Sequence, residues 1–120
     1  YATVATAFKP VGINVGGLPS DASGQPILSA AVVEPEEVLH FEIGLKSTPI
    51  PAATLNLAIF QTEVEDYQTQ VNNAQLGVNR GYLANAEKVR VRGAELDGSY
   101  AVSDFVSLYG ALAYNDAEYV

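Results

Sequence analysis

The residues that could carry chemistry are few, and most stand alone. His40 is the only histidine, and there is no cysteine. A metal site built on His40 needs companions at helical or hairpin spacing, and the sequence supplies none. Glu95 and Asp97 could pass for the paired carboxylates of a hydrolase. On a strand, however, residues i and i+2 lie ~7 Å apart by geometry alone, and no third group joins these two. Glu34, Glu36 and Glu37 form one acidic group; Glu63, Glu65 and Asp66 form another. Neither has the spaced acids and glycine of a specific calcium loop. Lys88, Arg90 and Arg92 make a basic set suited to phosphates or to carboxylate partners. Gly16-Gly17 is no phosphate loop, because no Lys-Ser/Thr follows it. These groups predict no catalytic site, no cofactor and no bound metal, and so a protein that is not an enzyme.

Bulk properties narrow the class further. The 120 residues carry a net charge of −8, with 48% hydrophobic and only 17% charged residues. Such acidity opposes nucleic acid, whose phosphates require Lys and Arg. No apolar run approaches the ~20 residues of a transmembrane helix. The chain opens at Tyr1-Ala2-Thr3-Val4 and closes at Glu118-Tyr119-Val120. Both ends read as points within a longer protein, so the chain is expected to be a fragment.

The elements that must position these side chains are strands. In Val38-Leu39-His40-Phe41-Glu42-Ile43-Gly44-Leu45-Lys46, apolar and polar residues alternate. That period of two separates them onto the two faces of a strand, whereas a helix would scatter them. The same pattern recurs, predicting five long strands at about 1–9, 37–47, 54–68, 83–101 and 105–119. The faces of residues 1–9 are not distinguishable. Pro49 and Pro51 place a short turn at residues 47–53. A second short turn falls at residues 101–104. The connections at residues 10–36 and 68–82 are long. In an up-and-down meander, both long loops therefore lie at one end and both short turns at the other.

The two faces differ in chemistry. Leu39, Phe41, Ile43 and Leu45 share one face; His40, Glu42, Gly44 and Lys46 share the other. On the apolar face, charge replaces hydrocarbon along each strand. Leu55, Leu57 and Ile59 give way to Gln61, Glu63 and Glu65, and Val106 to Tyr114 give way to Asp116 and Glu118. An apolar band bounded by charge and by tyrosines such as Tyr100 and Tyr114 is what a lipid boundary produces. The expected class is therefore all-β: an antiparallel meander forming part of a transmembrane β-barrel. His40, Glu42, Lys46, Glu95 and Asp97 would face its lumen or a plug. Turn placement predicts cross-strand partners as well: Leu45–Leu55, Ile43–Leu57 and Phe41–Ile59 in one hairpin. In the last hairpin they are Arg92–Tyr114, Arg90–Asp116 and Lys88–Glu118.

Several stretches also resemble one known family. Glu42-Ile43-Gly44-Leu45-Lys46-Ser47 resembles the Y-E-I-G-L-K-S strand of TonB-dependent receptors. Residues 55–68, ending Asp66-Tyr67-Gln68, resemble the strand that follows it there. Asn85-Ala86-Glu87-Lys88-Val89-Arg90-Val91-Arg92-Gly93-Ala94-Glu95-Leu96 resembles a third segment of that family. Phe8-Lys9-Pro10 and Tyr114-Asn115-Asp116-Ala117 match in kind and order. The resemblance covers nearly the whole chain except the loop around residues 17–31. It implies a bacterial outer-membrane receptor of the 22-stranded, plugged type. Such a receptor takes up a small molecule such as a ferric siderophore or cobalamin, with energy from TonB. It also implies membrane lipid, lipopolysaccharide, the plug of the same chain and TonB as partners, and no nucleic acid. Two alternatives stand beside it: a passive outer-membrane porin, and a soluble β-sandwich binding module.

Overall fold

In a computed structural model of the chain, which describes residues 1–73 and 80–120, the strands are longer than the hydropathy pattern marks. They are β1 (Ala2–Lys9), β2 (Gly12–Ile13), β3 (Val32–Val33), β4 (Glu36–Ile50), β5 (Ala53–Asn73), β6 (Arg80–Ser103) and β7 (Val106–Tyr119). A short 3-10 helix, Leu28–Ala31, precedes β3. Five strands form one antiparallel meander sheet in the order β1-β4-β5-β6-β7. The remaining two, β2 and β3, pair in a separate ribbon.

Contacts divide the chain into two compact units. One comprises Tyr1–Thr6, Leu39–Glu63 and Arg90–Glu118 and contains both tight turns; we call it the turn unit. The other comprises Ala7–Val38, Val64–Val89 and Tyr119–Val120 and contains both long connections; we call it the loop unit.

Strand limits depart from the sequence reading where hydropathy is silent. Residues 68–73 and 80–82, expected in a loop, are strand, and residues 74–79 of that expected loop lie outside the described residues. The stretch Gln68-Thr69-Gln70-Val71-Asn72-Asn73 shows no alternation of hydropathy. Ladder pairing needs only backbone groups, so a polar segment beside a partner strand extends the sheet without that signature. β4 likewise runs through Pro49 to Ile50, and the turn is only Pro51-Ala52. Proline is tolerated near a strand end, and its fixed φ suits the first turn position.

Moving each turn apex by about one residue moves every partner by two. His40 Nδ1 lies 2.8 Å from Thr62 Oγ1, and Ser47 Oγ donates to Leu55 O at 2.8 Å. The expected Leu45–Leu55, Ile43–Leu57 and Phe41–Ile59 partners are therefore displaced by two. The β6–β7 turn is Asp104-Phe105 rather than residues 101–104. Arg92 Nη2 meets Glu118 Oε1 at 2.8 Å and Asp116 Oδ2 at 3.9 Å. Arg90 Nη1 lies 3.7 Å from Glu118, and Val120 N donates to Lys88 O at 3.0 Å. These replace the expected Arg92–Tyr114, Arg90–Asp116 and Lys88–Glu118 pairs. A two-residue shift keeps every side chain on its face, so the separation of apolar from polar residues is untouched.

The faces of β1 follow from its partner. Tyr1 and Gly44 exchange backbone hydrogen bonds, each 2.9 Å. Lys9 Nζ reaches Glu36 Oε1 at 3.1 Å. Odd residues of β1 thus share the polar side of β4, while Ala2 and Val4 line a groove with Phe41, Ile43 and Ile59.

Burial is inverted relative to a water-soluble sheet. Ile43 is 63% exposed, whereas the side chain of its neighbour Glu42 is 28% exposed. Among the described residues, Val33 is the sole buried hydrophobic side chain. Among the described residues, the five-stranded sheet contributes no buried hydrophobic side chain.

Within the turn unit, Gly93 admits close packing across three strands. A methyl group there would sit 2.5 Å from Phe60 Cζ and 2.5 Å from the Tyr114 carbonyl oxygen. We expect Gly93→Ala to destabilise the intact receptor by ~1–3 kcal/mol through overpacking. Thermal loss of the compact, fast-migrating form on unheated gels measures it.

The Arg90 contacts carry a second expectation. Arg90 Nε bonds Glu63 Oε1 at 3.0 Å, with side-chain exposures of 27% and 19%. A double-mutant cycle of Arg90→Ala and Glu63→Ala should give a coupling of ~0.5–1 kcal/mol that shrinks as salt is raised. A salt-independent coupling would assign the pair to packing instead.

Candidate functional site

The turn unit gathers its polar side chains around one small residue. Gly44 lacks a side chain, and the Tyr1 ring lies over it, where any Cβ would collide with that ring. The Tyr1 hydroxyl and the Glu42 carboxylate lie on the same side of this pair of strands. Lys46 Nζ stands 5.5 Å from the Tyr1 ring centroid, a cation–π contact. Tyr1, Lys46, Asn56, Glu95 and Asp97 line a shared hollow of about 300 Å³. In it, Asn56 Nδ2 donates to Asp97 Oδ1 at 2.9 Å.

His40 sits in a different set of contacts. Its ring stacks on Phe60 at 6.3 Å, and its Nδ1 meets Thr62 Oγ1. Glu42 Oε2 lies 3.9 Å from His40 Nε2. Threonine, histidine and glutamate in sequence suggest a nucleophile, a base and an orienting acid. The geometry does not fit that reading, because 3.9 Å is beyond hydrogen-bond reach and the acid would not hold the imidazole. The arrangement instead knits neighbouring strands together through their polar face.

In the loop unit, the connection between β1 and β4 is folded and anchored. The β2–β3 ribbon pairs Gly12 with Val33 and Ile13 with Val32. Asn14 Oδ1 accepts from Leu83 N at 2.6 Å, and Asn14 Nδ2 donates to Leu83 O at 2.9 Å and to Ala30 O at 2.7 Å. Asn14 thus satisfies both backbone groups of Leu83 as a strand would. Gln68 Nε2 donates to Pro10 O and Glu34 O, at 2.9 and 3.0 Å. Asn85 accepts from Glu34 N at 2.8 Å and donates to Asp66 O at 2.6 Å. Asp66 has φ 52°, a left-handed conformation that aspartate tolerates better than most residues. Glu36 accepts from Gln68 N at 2.7 Å and from Lys9, closing the base of the loop. At the tip, Asp21 Oδ1 accepts from Ser23 Oγ, Ser23 N and Gln25 N. These donors hold the Asp21 carboxyl below its ordinary pKa, the Ser23 hydroxyl first among them.

Compared with known proteins, all of residues 1–120 match the family described as TonB dependent receptor-like, beta-barrel. The chain belongs to the TonB-dependent receptor β-barrel family. No curated protein and no solved structure matches it. TonB-dependent receptors are outer-membrane receptors and transporters of Gram-negative bacteria, not an enzyme family, and they work with a plug, TonB and a ligand. This is a β-barrel family, so the soluble β-sandwich alternative falls.

For a TonB-dependent barrel wall, the five side chains singled out in the sequence are not one cluster. The structure brings Lys46, Glu95 and Asp97 to one hollow, and Glu42 is not among its lining residues. His40 belongs with Thr62 and Phe60. Sequence reasoning missed Tyr1, because β1 shows no clear alternation and its face is set by pairing with β4. It also missed the anchored ribbon, although Val11-Gly12-Ile13-Asn14-Val15 does alternate with period two. Among the described residues, no three His, Asp or Glu side chains gather as metal ligands.

The Asp21 turn makes a pH prediction. Because its folded pKa is depressed, the turn's stabilisation is present above the unfolded carboxylate pKa and is lost as pH falls through the folded value. Hydrogen exchange at the Ser23 and Gln25 amides should therefore lose protection, relative to other loop amides, below that range. Asp21→Ala should remove the same protection at neutral pH; protection unchanged in that variant would reject the assignment.

Proposed function

We propose that this chain is a stretch of barrel wall in a receptor for TonB-energised uptake of a scarce small molecule across the outer membrane, a ferric siderophore or cobalamin being examples. The observation that carries the reading is the family match over the whole chain, and the inverted burial of the sheet supports it. In this reading, Leu39, Phe41, Ile43 and Leu45 meet lipid. Lys88, Arg90 and Arg92 lie at the edge of the apolar band, beside lipopolysaccharide phosphates, while also paired to Glu63, Glu65, Asp116 and Glu118. His40, Glu42, Lys46, Glu95 and Asp97 face the lumen and the plug of the same receptor. Residues 10–36 and the connection between β5 and β6 are extracellular and serve ligand capture or gating. Loops on a rigid scaffold commonly carry specificity, and the anchoring of residues 10–36 gives this one a fixed surface.

Uptake by whole cells tests the reading. Cells carrying the intact receptor are given radiolabelled ferric chelates and cobalamin, with and without TonB. We expect TonB-dependent accumulation of one of them, reduced at least ~10-fold when residues 13–32 are replaced by a short Gly-Ser link. Uptake that needs no TonB would favour a passive pore; full uptake by the loop-replaced receptor would remove the loop from ligand capture.

A further inference from the structure

Two pairs of neighbouring strands are joined by no tight turn. β1 ends at Lys9 and β4 begins at Glu36; β5 ends at Asn73 and β6 begins at Arg80. Within the turn unit, each of these pairs seats an aromatic ring in the gap beside a glycine. Tyr1 and Gly44 exchange backbone hydrogen bonds, so they are direct cross-strand partners, and the Tyr1 ring fills the place of a Gly44 side chain. Between β5 and β6, Thr54 meets Ser99, Asn56 meets Asp97 and Glu63 meets Arg90. The two numberings run in step in opposite directions, which sets Phe60 opposite Gly93. There the tip of the Phe60 ring, Cζ, lies 2.5 Å from where a Gly93 Cβ would stand. A second neighbour holds each ring: His40 stacks on Phe60 at 6.3 Å, and Lys46 Nζ stands 5.5 Å from the Tyr1 centroid.

Charge leaves the register of β5 on β6 open. Shifted by two in one direction or the other, Glu63 would lie opposite Arg92 or Lys88, and either cation would suit it as Arg90 does. Such a shift also keeps every side chain on its face. The pairs β4–β5 and β6–β7 have a separate constraint in their two-residue turns, Pro51-Ala52 and Asp104-Phe105. For the other two pairs, steric fit discriminates. The same shifts would set Tyr1 opposite Glu42 or Lys46, and Phe60 opposite Val91 or Glu95. Each of these carries a side chain where the glycine has none, so the ring would lose its seat. An aromatic ring covering a glycine on the next strand pins register in this way.

We propose that Tyr1 on Gly44 and Phe60 on Gly93 are register latches: they select one pairing of β1 with β4 and of β5 with β6 from those that charge and hydropathy allow. Disulfide trapping in the intact receptor, recovered from outer membranes, tests it. The pair T54C/S99C reports the observed register, and T54C/D97C and T54C/A101C report the two shifted ones. Directly opposed Cα atoms lie ~5.5 Å apart, within reach of a disulfide, whereas diagonal ones lie ~7–8 Å apart. Peptide mass spectrometry reads the linked fraction. With Phe60 in place, T54C/S99C should link and the shifted pairs should not. Phe60→Ala should raise linkage of a shifted pair at least ~3-fold relative to T54C/S99C, and Phe60→Tyr, which keeps the ring, should leave it low. Tyr1→Ala is read likewise, with T3C/E42C for the observed register and T3C/H40C for a shifted one. Where an alanine variant fails to reach the membrane, Phe60→Val or Tyr1→Val takes its place, since valine favours a strand but cannot reach across to the glycine. Shifted linkage that does not rise when either ring is removed, or that rises as much in Phe60→Tyr, would overturn the proposal.

Discussion

Backbone pairing between neighbouring strands is the constraint on which this molecule depends. A barrel wall cannot leave N–H and C=O groups unpaired along its length, so each strand must complete its neighbour's ladder. With the ladder in place, side chains are released from building a core. They separate instead, with aliphatic groups on one side and hydrogen-bonded polar groups on the other. Tyr1 over Gly44, His40 on Thr62 and Asn56 on Asp97 stitch adjacent strands through the polar side. Leu39, Phe41, Ile43 and Leu45 occupy the opposite side by alternation, and no such bonding joins their side chains.

Much of this was legible in the sequence, for a physical reason. Alternation of Leu39 to Lys46 forces two faces, and a slip of two preserves them. Face assignment is therefore robust even when partners are wrong. Partner identity depends on the turn apex, and hydropathy does not mark an apex to a single residue. Pro49 suggested an early turn, yet proline sits within the last residues of β4 without stopping it. The polar run after Tyr67 carried no alternation, so its strand character was invisible until β6 lay beside it. In β1, small and mixed residues such as Ala2, Thr3, Ala5, Thr6 and Ala7 fit either face. Only the exchange of bonds between Tyr1 and Gly44 decides between them.

The connection after β1 shows the opposite economy. Composition rich in Gly, Pro, Ser and Ala reads as an unspecified loop, but three amide side chains, Asn14, Gln68 and Asn85, convert it into a fixed element. An amide offers a donor and an acceptor on one planar group, so it can mimic a peptide unit and complete a neighbouring backbone. Glu36 and Gln68 are nearly buried, and among the described residues no buried side-chain polar atom lacks a partner. Rigid anchoring lowers the entropy lost when a surface engages a partner.

The charges joining β6 and β7 have a consequence for assembly. In the observed pairing Arg90 and Arg92 meet Glu118 and Asp116; slipped by two, Arg90 would still meet Asp116 and Lys88 would meet Glu118. Opposite charges therefore draw the two strands together in either arrangement and do not tell right from wrong. Discrimination is left to the short turn, where Phe105 N donates to Ser103 Oγ at 3.3 Å, and to the tight fit at Gly93. The charges thus bring the right pair of strands together, while the register between them is a matter of local fit.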